Sequence, residues 1–492
     1  MLMSDQSPQP SSFVFPVALQ PAVDEQAAQQ SVGRGEPWGW LELFVFSQLL
    51  WGVLLFIPGS QAYRTYIRAF PYAASLMALV ACARSGATDT AVPGARWIMA
   101  VIVLLIANLV HEETWMMSGI AQVVFQLAIA APVFWGARAW ITPARLERLM
   151  LLIFLGNMAS AAVGLLQVYY PSTFLPPQFS TFALKVNPEF VNSLTYIGSG
   201  DRVIIRPPGL SDLPGGAAVA GTITALFGFA LAMRPHQHKI WKAIYAAAAA
   251  VGITVVYLTQ VRSMILMILG GMMVVALVRL RRGRVVQSGW IAAAAATLVV
   301  GSFVWAVTLG GESVHERFMG MVDDGVVQSY QDNRGIFLDY TFRELVYQYP
   351  LGAGVGRWGM MTQYFGDSTN WQHPALWAEI QPTGWLFDGG IFMWIFYPGA
   401  LFVATRYTYK QAVDPGGTLN DYAEMVLVMQ LLLIGLCFTG PVFNTQVGIL
   451  FWLSTAMLVG AARTVAIEAW NSEVQEETEN DLRPEPEAAE PA

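Results

Sequence analysis

The chain has 492 residues, of which 55% are hydrophobic and only 12% charged, with a formal net charge of −7. So little charge cannot cover a soluble body of this size. The apolar residues also gather into blocks near the ~20 residues a helix needs to cross about 30 Å of hydrocarbon. A soluble globular protein is excluded, and a polytopic α-helical membrane protein is what remains.

Residues 1–37 are rich in Gln, Ser, Pro and Ala, without a basic start or an early apolar run. We expect a cytoplasmic N-terminal tail there and not a cleaved signal peptide. Residues 38–470 form the membrane domain. Its apolar blocks predict twelve spans, at 38–58, 69–83, 97–111, 115–136, 148–169, 212–233, 239–258, 263–280, 288–309, 384–405, 423–441 and 443–463. Cys82 and Cys437 fall in different spans, which argues against a disulfide framework and against a thiolate metal site. His111-Glu112-Glu113 lacks the spacing of a helical zinc motif, so no metal ligands are expected. Two long connections stand out, about 170–211 and 310–383; the others are short turns. Long loops between helices usually carry function. Beyond Asn471, eight acidic residues stand against Arg483 alone and account for the whole net charge. Residues 471–492 therefore read as a disordered acidic cytoplasmic tail. The rest of the chain is neutral and offers no basic surface for nucleic acid.

Lys and Arg placement sets the orientation. Seventeen of the 27 basic residues fall on the side of the N-terminus, including Arg279, Arg281, Arg282 and Arg284. That places both termini in the cytoplasm of a bacterial inner membrane and the two long loops in the periplasm. The other ten are Arg64, Arg68, Lys185, Arg202, Arg206, Arg262, Arg317, Arg334, Arg343 and Arg357. One such arginine can snorkel for purely structural reasons. Several together, against the orientation rule, ask for an anion at headgroup depth, and the planar fork of arginine suits phosphate. We expect Arg206, Arg262, Arg334, Arg343 and Arg357 to form a clamp for a lipid-linked diphosphate. Residues 333–349 predict an amphipathic helix, with Asp332 as N-cap and Pro350 as terminator. Gly352, Gly354 and Gly356 follow that helix and not a strand, so they form a turn returning Arg357 to the membrane, not a nucleotide loop.

The order of these pieces carries a resemblance. RPPG precedes a span, LTQVRSMIL joins two spans, and a large loop ends in an Arg-bearing helix, YPLGAGVG and a Gly-containing start to the next span. From about Ile205 to Ala400 the chain resembles the O-antigen ligase and O-antigen polymerase family of membrane glycosyltransferases. The resemblance implies an all-α integral membrane fold of about 12 transmembrane helices with two long periplasmic loops. It implies a metal-independent, cofactor-free, inverting enzyme of exopolysaccharide or O-antigen biosynthesis. Such an enzyme transfers a glycan from an undecaprenyl diphosphate carrier to an acceptor hydroxyl. Its partners are the lipid-linked oligosaccharide, membrane lipids and other polysaccharide assembly proteins. On the same resemblance Arg206 and Arg262 hold the donor diphosphate.

One departure concerns the base. The family's His-Asn pair stands about eleven residues before a Gly of the next span, whereas Glu379 occupies that distance from Gly390. His373 lies six residues further upstream, followed by Pro374. Either Glu379 or His373 is then the base, with Glu379 preferred, since a carboxylate activates the nucleophile in inverting glycosidases. The simpler reading of Glu379 is an ion pair holding the loop to the bundle. Gln381 and Asp388 are candidate contacts to the acceptor or its sugar. Two rival functions differ in class. A transporter or flippase for lipid-linked sugars would place ionisable groups or broken helices near the bilayer midplane, where these spans hold almost none. A non-catalytic envelope assembly scaffold would use the acidic tail for docking.

Overall fold

The computed structural model describes residues 38–481 other than 58, 85–90, 176–193, 212–214, 236, 324 and 368–373. The chain divides into Met1–Gly39 and Trp40–Ala492, and the architecture below is that of the second unit. It is almost entirely helical. The helices are α1 (Trp40–Leu50), α2 (Arg64–Arg84), α3 (Ala95–Ala107), α4 (Met116–Ala130), α5 (Pro143–Tyr169), α6 (Ala217–Ala232), α7 (Lys239–Thr259), α8 (Arg262–Arg281) and α9 (Val285–Gly310). There follow α10 (Glu312–Asp323), α11 (326–348), α12 (Gly359–Phe365), α13 (Gln381–Val413), α14 (Asn420–Leu436) and α15 (Gln446–Asp481). A single antiparallel hairpin, β1 (Thr195–Ile197) and β2 (Val203–Ile205), pairs Tyr196 with Ile204.

All twelve predicted apolar blocks contain helix, but a count of twelve spans does not follow from the lengths of these helices. Among the described residues seven helices are long and apolar enough to cross a membrane, and an eighth if the pair α4 and Pro132–Arg138, bent by 44°, counts as one. The shortfall has physical causes. Helix α6 is short, and nearly every residue along it is buried by protein, so it need not match the thickness of lipid. It lies so close to α7 that a Cβ on Gly221 would meet the Gly252 carbonyl oxygen at 2.7 Å. Helix α14 carries Asp421 and Glu424, whose charges are met by arginines of α8. Glu424, fully buried, pairs with Arg279 at 2.8 Å and Arg282 at 3.2 Å, and Asp421 accepts from Arg282 at 3.0 Å. A buried pair of this kind is strongly destabilising to break from one side, by about 3–5 kcal/mol.

Helix α8 therefore has a different arginine problem at each end. Arg279 and Arg282 close its C-terminal end in ion pairs, and Arg262 opens its N-terminal end, about 30 Å away by helical rise. At the Arg262 end gather the hairpin, α10, α11 and the start of α13. The expected helix 333–349 exists but begins earlier. Helix α11 runs from Val326 through two π-turns, Gln331–Gly335 and Thr341–Leu345, and its last helical residue is Gln348, just before Pro350. Asp332 is thus inside the helix, accepting from Gln328 at 2.7 Å, and is not its cap. Helix α15 continues to Asp481, so residues 471–481 are helical and not disordered as expected. The expected N-terminal tail, 1–37, and residues 482–492 lie outside the described residues.

Candidate anion site and buried carboxylates

The loop bearing Arg206 is fixed before the arginine can act. Its backbone extends the hairpin, with Arg206 N–H donating to the Leu194 carbonyl at 3.0 Å. Gln167 of α5 then grips Gly209 from both sides: its amide donates to the Gly209 carbonyl and its oxygen accepts the Gly209 N–H, each at 2.9 Å. Gly209 sits at φ +65°, with Ser160 too close for any Cβ. The hairpin itself is pinned to the helix ends by Tyr196 donating to the Leu258 carbonyl at 3.0 Å and Ser313 donating to the Ile197 carbonyl.

This scaffold brings three arginines together. Arg317 of α10 lies close enough to Arg262 and Arg206 that both charges act on it. Its pKa is lowered first by burial and then by these two neighbours, and that of Arg206 is lowered by burial. Arg262 donates to the Ser329 hydroxyl at 2.7 Å. Among the described residues none of the three is in an ion pair, and the Nε–H of each is buried without an acceptor. Buried donors of this kind are normally satisfied, and like charges normally separate. A cluster of three that does neither is a candidate anion site.

The other expected arginines do not join it. Arg357 is buried and pairs with Glu113 at 3.0 Å while donating to the carbonyls of Ala353 and Pro374. Arg343 pairs with Asp339 at 2.6 Å on the exposed face of α11. Arg334 is ion-paired with Glu379. The pairing of Glu379 is the simpler of its two expected readings. Arg334 stands on α11 five residues beyond Ser329, the residue that accepts from Arg262. Sequence reasoning missed Arg317 and Ser329. The signal for Arg317 was present: Val314, Phe318 and Met321 are the buried face of α10, and Arg317 lies beside them at helical spacing.

Gln381 and Asp388 are both fully buried. The Gln381 side-chain oxygen accepts the Phe443 N–H at 2.8 Å, which ties the start of α13 to the α14–α15 turn. Among the described residues the hydrogen-bond partners of Asp388 are neutral: Gln122 donates at 2.8 Å and Gly356 N–H at 3.3 Å. It stands just before a break in α13, where Gly389 and Gly390 leave helical geometry. The segment Pro350–Gly356 seats itself in that break, Ala353 N–H donating to Phe387 and Ile391 N–H to Pro350. Gly352, Gly354 and Gly356 all have positive φ, and Arg357 beyond them is buried. His373 lies outside the described residues.

No family model matches the chain, and no curated protein matches it.

Proposed function

We propose that the chain is a membrane glycosyltransferase that moves a glycan from an undecaprenyl diphosphate carrier to an acceptor sugar hydroxyl on the periplasmic face of a bacterial inner membrane. The observation that carries the reading is the unpaired, half-buried group Arg206, Arg262 and Arg317 at the end of the bundle opposite Arg279 and Arg282. A diphosphate at headgroup depth answers all three orphan donors at once. In the transfer, the acceptor oxygen attacks the anomeric carbon while the bond from that carbon to the diphosphate oxygen breaks from the opposite face. The acceptor proton passes to a base, and the bond electrons leave on the diphosphate. Guanidinium groups already in position stabilise that developing charge without reorganising. Glu379 is the base on this reading, held at rest in an ion pair with Arg334. Binding of the anion draws Arg334 toward phosphate and frees the carboxylate.

The test is incubation of purified protein with a lipid-diphosphate oligosaccharide. Wild type lengthens or transfers the glycan. Glu379→Gln retains the donor but loses turnover by about 10²-fold or more, whereas Arg262→Ala loses donor binding itself. Abolition by His373→Ala and not by Glu379→Gln reassigns the base. No turnover by wild type with any lipid-diphosphate donor overturns the proposal.

A second reading, passage of lipid-linked sugars across the bilayer, is favoured by one specific observation. Asp388 is a buried carboxylate with neutral partners at a broken helix, the kind of feature transporters carry. Flipping of a labelled donor in proteoliposomes that is lost in Asp388→Asn, without glycan transfer by wild type, selects it.

A further inference from the structure

Helix α11 has two unlike faces, and only the inward one packs on the bundle. The inward residues Tyr330, Arg334, Leu338, Thr341 and Leu345 are buried or half-buried and recur mostly every four positions. An α-helix drifts by about 40° at each step of four, and the wider π-turns at Gln331–Gly335 and Thr341–Leu345 take up that drift. The outward face is exposed yet far from polar. Ile336 is 63% and Tyr347 80% exposed, with Tyr340 and Arg343 beside them, and Leu351 just past the helix is 62% exposed. We propose that this outward face lies in the headgroup layer of the bilayer, so that α11 is an interfacial helix resting on zwitterionic lipid.

The contacts of α11 set its level. Near its start Ser329 accepts from Arg262, the first residue of α8, and the Tyr330 hydroxyl donates to the Phe438 carbonyl, just past α14, at 3.2 Å. Further along, the hydroxyls of Thr341 and Thr383 meet at 2.6 Å, and the rings of Phe342 and Trp394 pack 4.7 Å apart. The helix thus runs across the ends of α8, α14 and α13, and not alongside one span. Helix α13 then marks where lipid begins. From Gln381 to Gly390 it is buried throughout, whereas Ile391, Phe392, Ile395 and Phe402 are exposed. Ile391 stands about 28 Å of helical rise from Lys410, close to the ~30 Å thickness of hydrocarbon. Ile391 N–H donates to the Pro350 carbonyl at 3.0 Å, so Leu351 stands at the edge of that layer. The apolar residues outside α11 therefore continue the lipid-facing side of α13.

Composition selects the headgroup layer over water or the acyl core. Tyrosines beside an aliphatic residue suit a boundary that is wet on one side and apolar on the other. Arg343 is paired with Asp339 at 2.6 Å, so the face has no excess of positive charge and calls for no anionic lipid. The membrane then fixes the helix whose other face carries Ser329 and Arg334. This placement does not rest on the transferase reading, and no lipid-linked donor enters its test.

The test is a depth measurement on the full chain with Cys82 and Cys437 replaced. Single cysteines are introduced as Ile336→Cys, Tyr347→Cys, Asp201→Cys in the hairpin turn and Phe402→Cys on α13. Each is labelled with a nitrobenzoxadiazole fluorophore and placed in phosphatidylcholine nanodiscs, which leave both faces open to solutes. Tyr340→Cys replaces either α11 reporter that does not give monodisperse protein. Nitroxide on the lipid headgroup should quench the α11 reporters most strongly. Nitroxide deep on the acyl chain should favour Phe402→Cys, which lies about 16 Å of rise beyond Ile391. Iodide should quench the α11 reporters at least about threefold less than Asp201→Cys. Iodide quenching equal to that of Asp201→Cys overturns the proposal, because the face is then in water. Protection from iodide and from both lipid quenchers also overturns it, because protein, such as a second copy of the chain, then covers the face. Strongest quenching by the deep nitroxide does so as well, since the helix would then lie within the hydrocarbon.

Discussion

An arginine withdrawn from water with no carboxylate to meet it raises the free energy of the folded state, and Arg317 bears this cost twice, from burial and from two like charges. Its folded pKa lies below the ordinary arginine value, so the folded state disfavours the charged form. At neutral pH the group is charged whether the chain is folded or unfolded, and the penalty therefore falls on the folded state. Removing the charge should relieve it. Arg317→Met is expected to melt a few degrees above wild type in anion-free buffer. Inorganic pyrophosphate should raise the melting temperature of wild type by binding the folded form alone, and that rise should shrink in Arg317→Met. Equal shifts in both proteins would remove Arg317 from the anion site. Residues of this kind were only partly legible in the sequence. Arg206 and Arg262 stood out by defying the orientation rule, but Arg334 and Arg357 carried the same signal and are neutralised by Glu379 and Glu113. Those partners lie far away along the chain, Glu113 by more than two hundred residues, and no local pattern names them.

At the level of elements, the break in α13 organises the surroundings of Asp388 more than any one side chain. Gly389-Gly390 was visible as the start of a span, but the break needs the tertiary seat that Pro350–Gly356 takes in it. Gly390 adopts φ +61° and ψ −150°, a region open in practice only to glycine, and a Cβ there would lie 2.6 Å from the Leu351 Cα. Gly390→Ala should cost about 2–3 kcal/mol or more, read as a lower midpoint in detergent denaturation. Gly283→Ala, at φ +79° in an open turn with no neighbour within 4 Å, carries the backbone strain without the clash and should cost less. Equal losses would mean that the seat contributes nothing. The same change should weaken glycan transfer beyond its effect on stability, because Asn108 donates to both Leu351 and Asp388 and couples the seat to the segment that fixes Arg357. Helix α11 teaches a related lesson. Its amphipathic core was legible, but the start was misplaced because Gly325, at φ +81°, stops the chain seven residues before Asp332.

For the whole molecule, hydropathy located helix in all twelve apolar blocks, and seven or eight of these helices are long and apolar enough to cross a membrane among the described residues. Length and apolarity report exposure to hydrocarbon, and α6 and α14 are buried by protein or neutralised by ion pairs. What hydropathy leaves open is direction, on which a reaction outside the cytoplasm depends. The charge asymmetry along α8 supplies a testable answer. Arg279, Arg281 and Arg282 cluster at one end with the α13–α14 turn, tied there by Arg282 donating to the carbonyls of Ala412 and Asn420. The β-hairpin and the anion site lie at the other end. Neither native cysteine is in a disulfide, so Cys82 and Cys437 must first be replaced by serine or alanine. Asp201, exposed at the hairpin turn, and Gly416, exposed in the α13–α14 turn, then serve as single reporters when changed to cysteine. In intact spheroplasts a membrane-impermeant maleimide should label Asp201→Cys directly. Gly416→Cys should react only after permeabilisation, since the side richer in lysine and arginine stays in the cytoplasm. The opposite pattern would put the arginine cluster on the cytoplasmic face. There the cluster would meet nucleotide-linked and free phosphates in place of a periplasmic lipid diphosphate, and the proposed transfer would lose its donor.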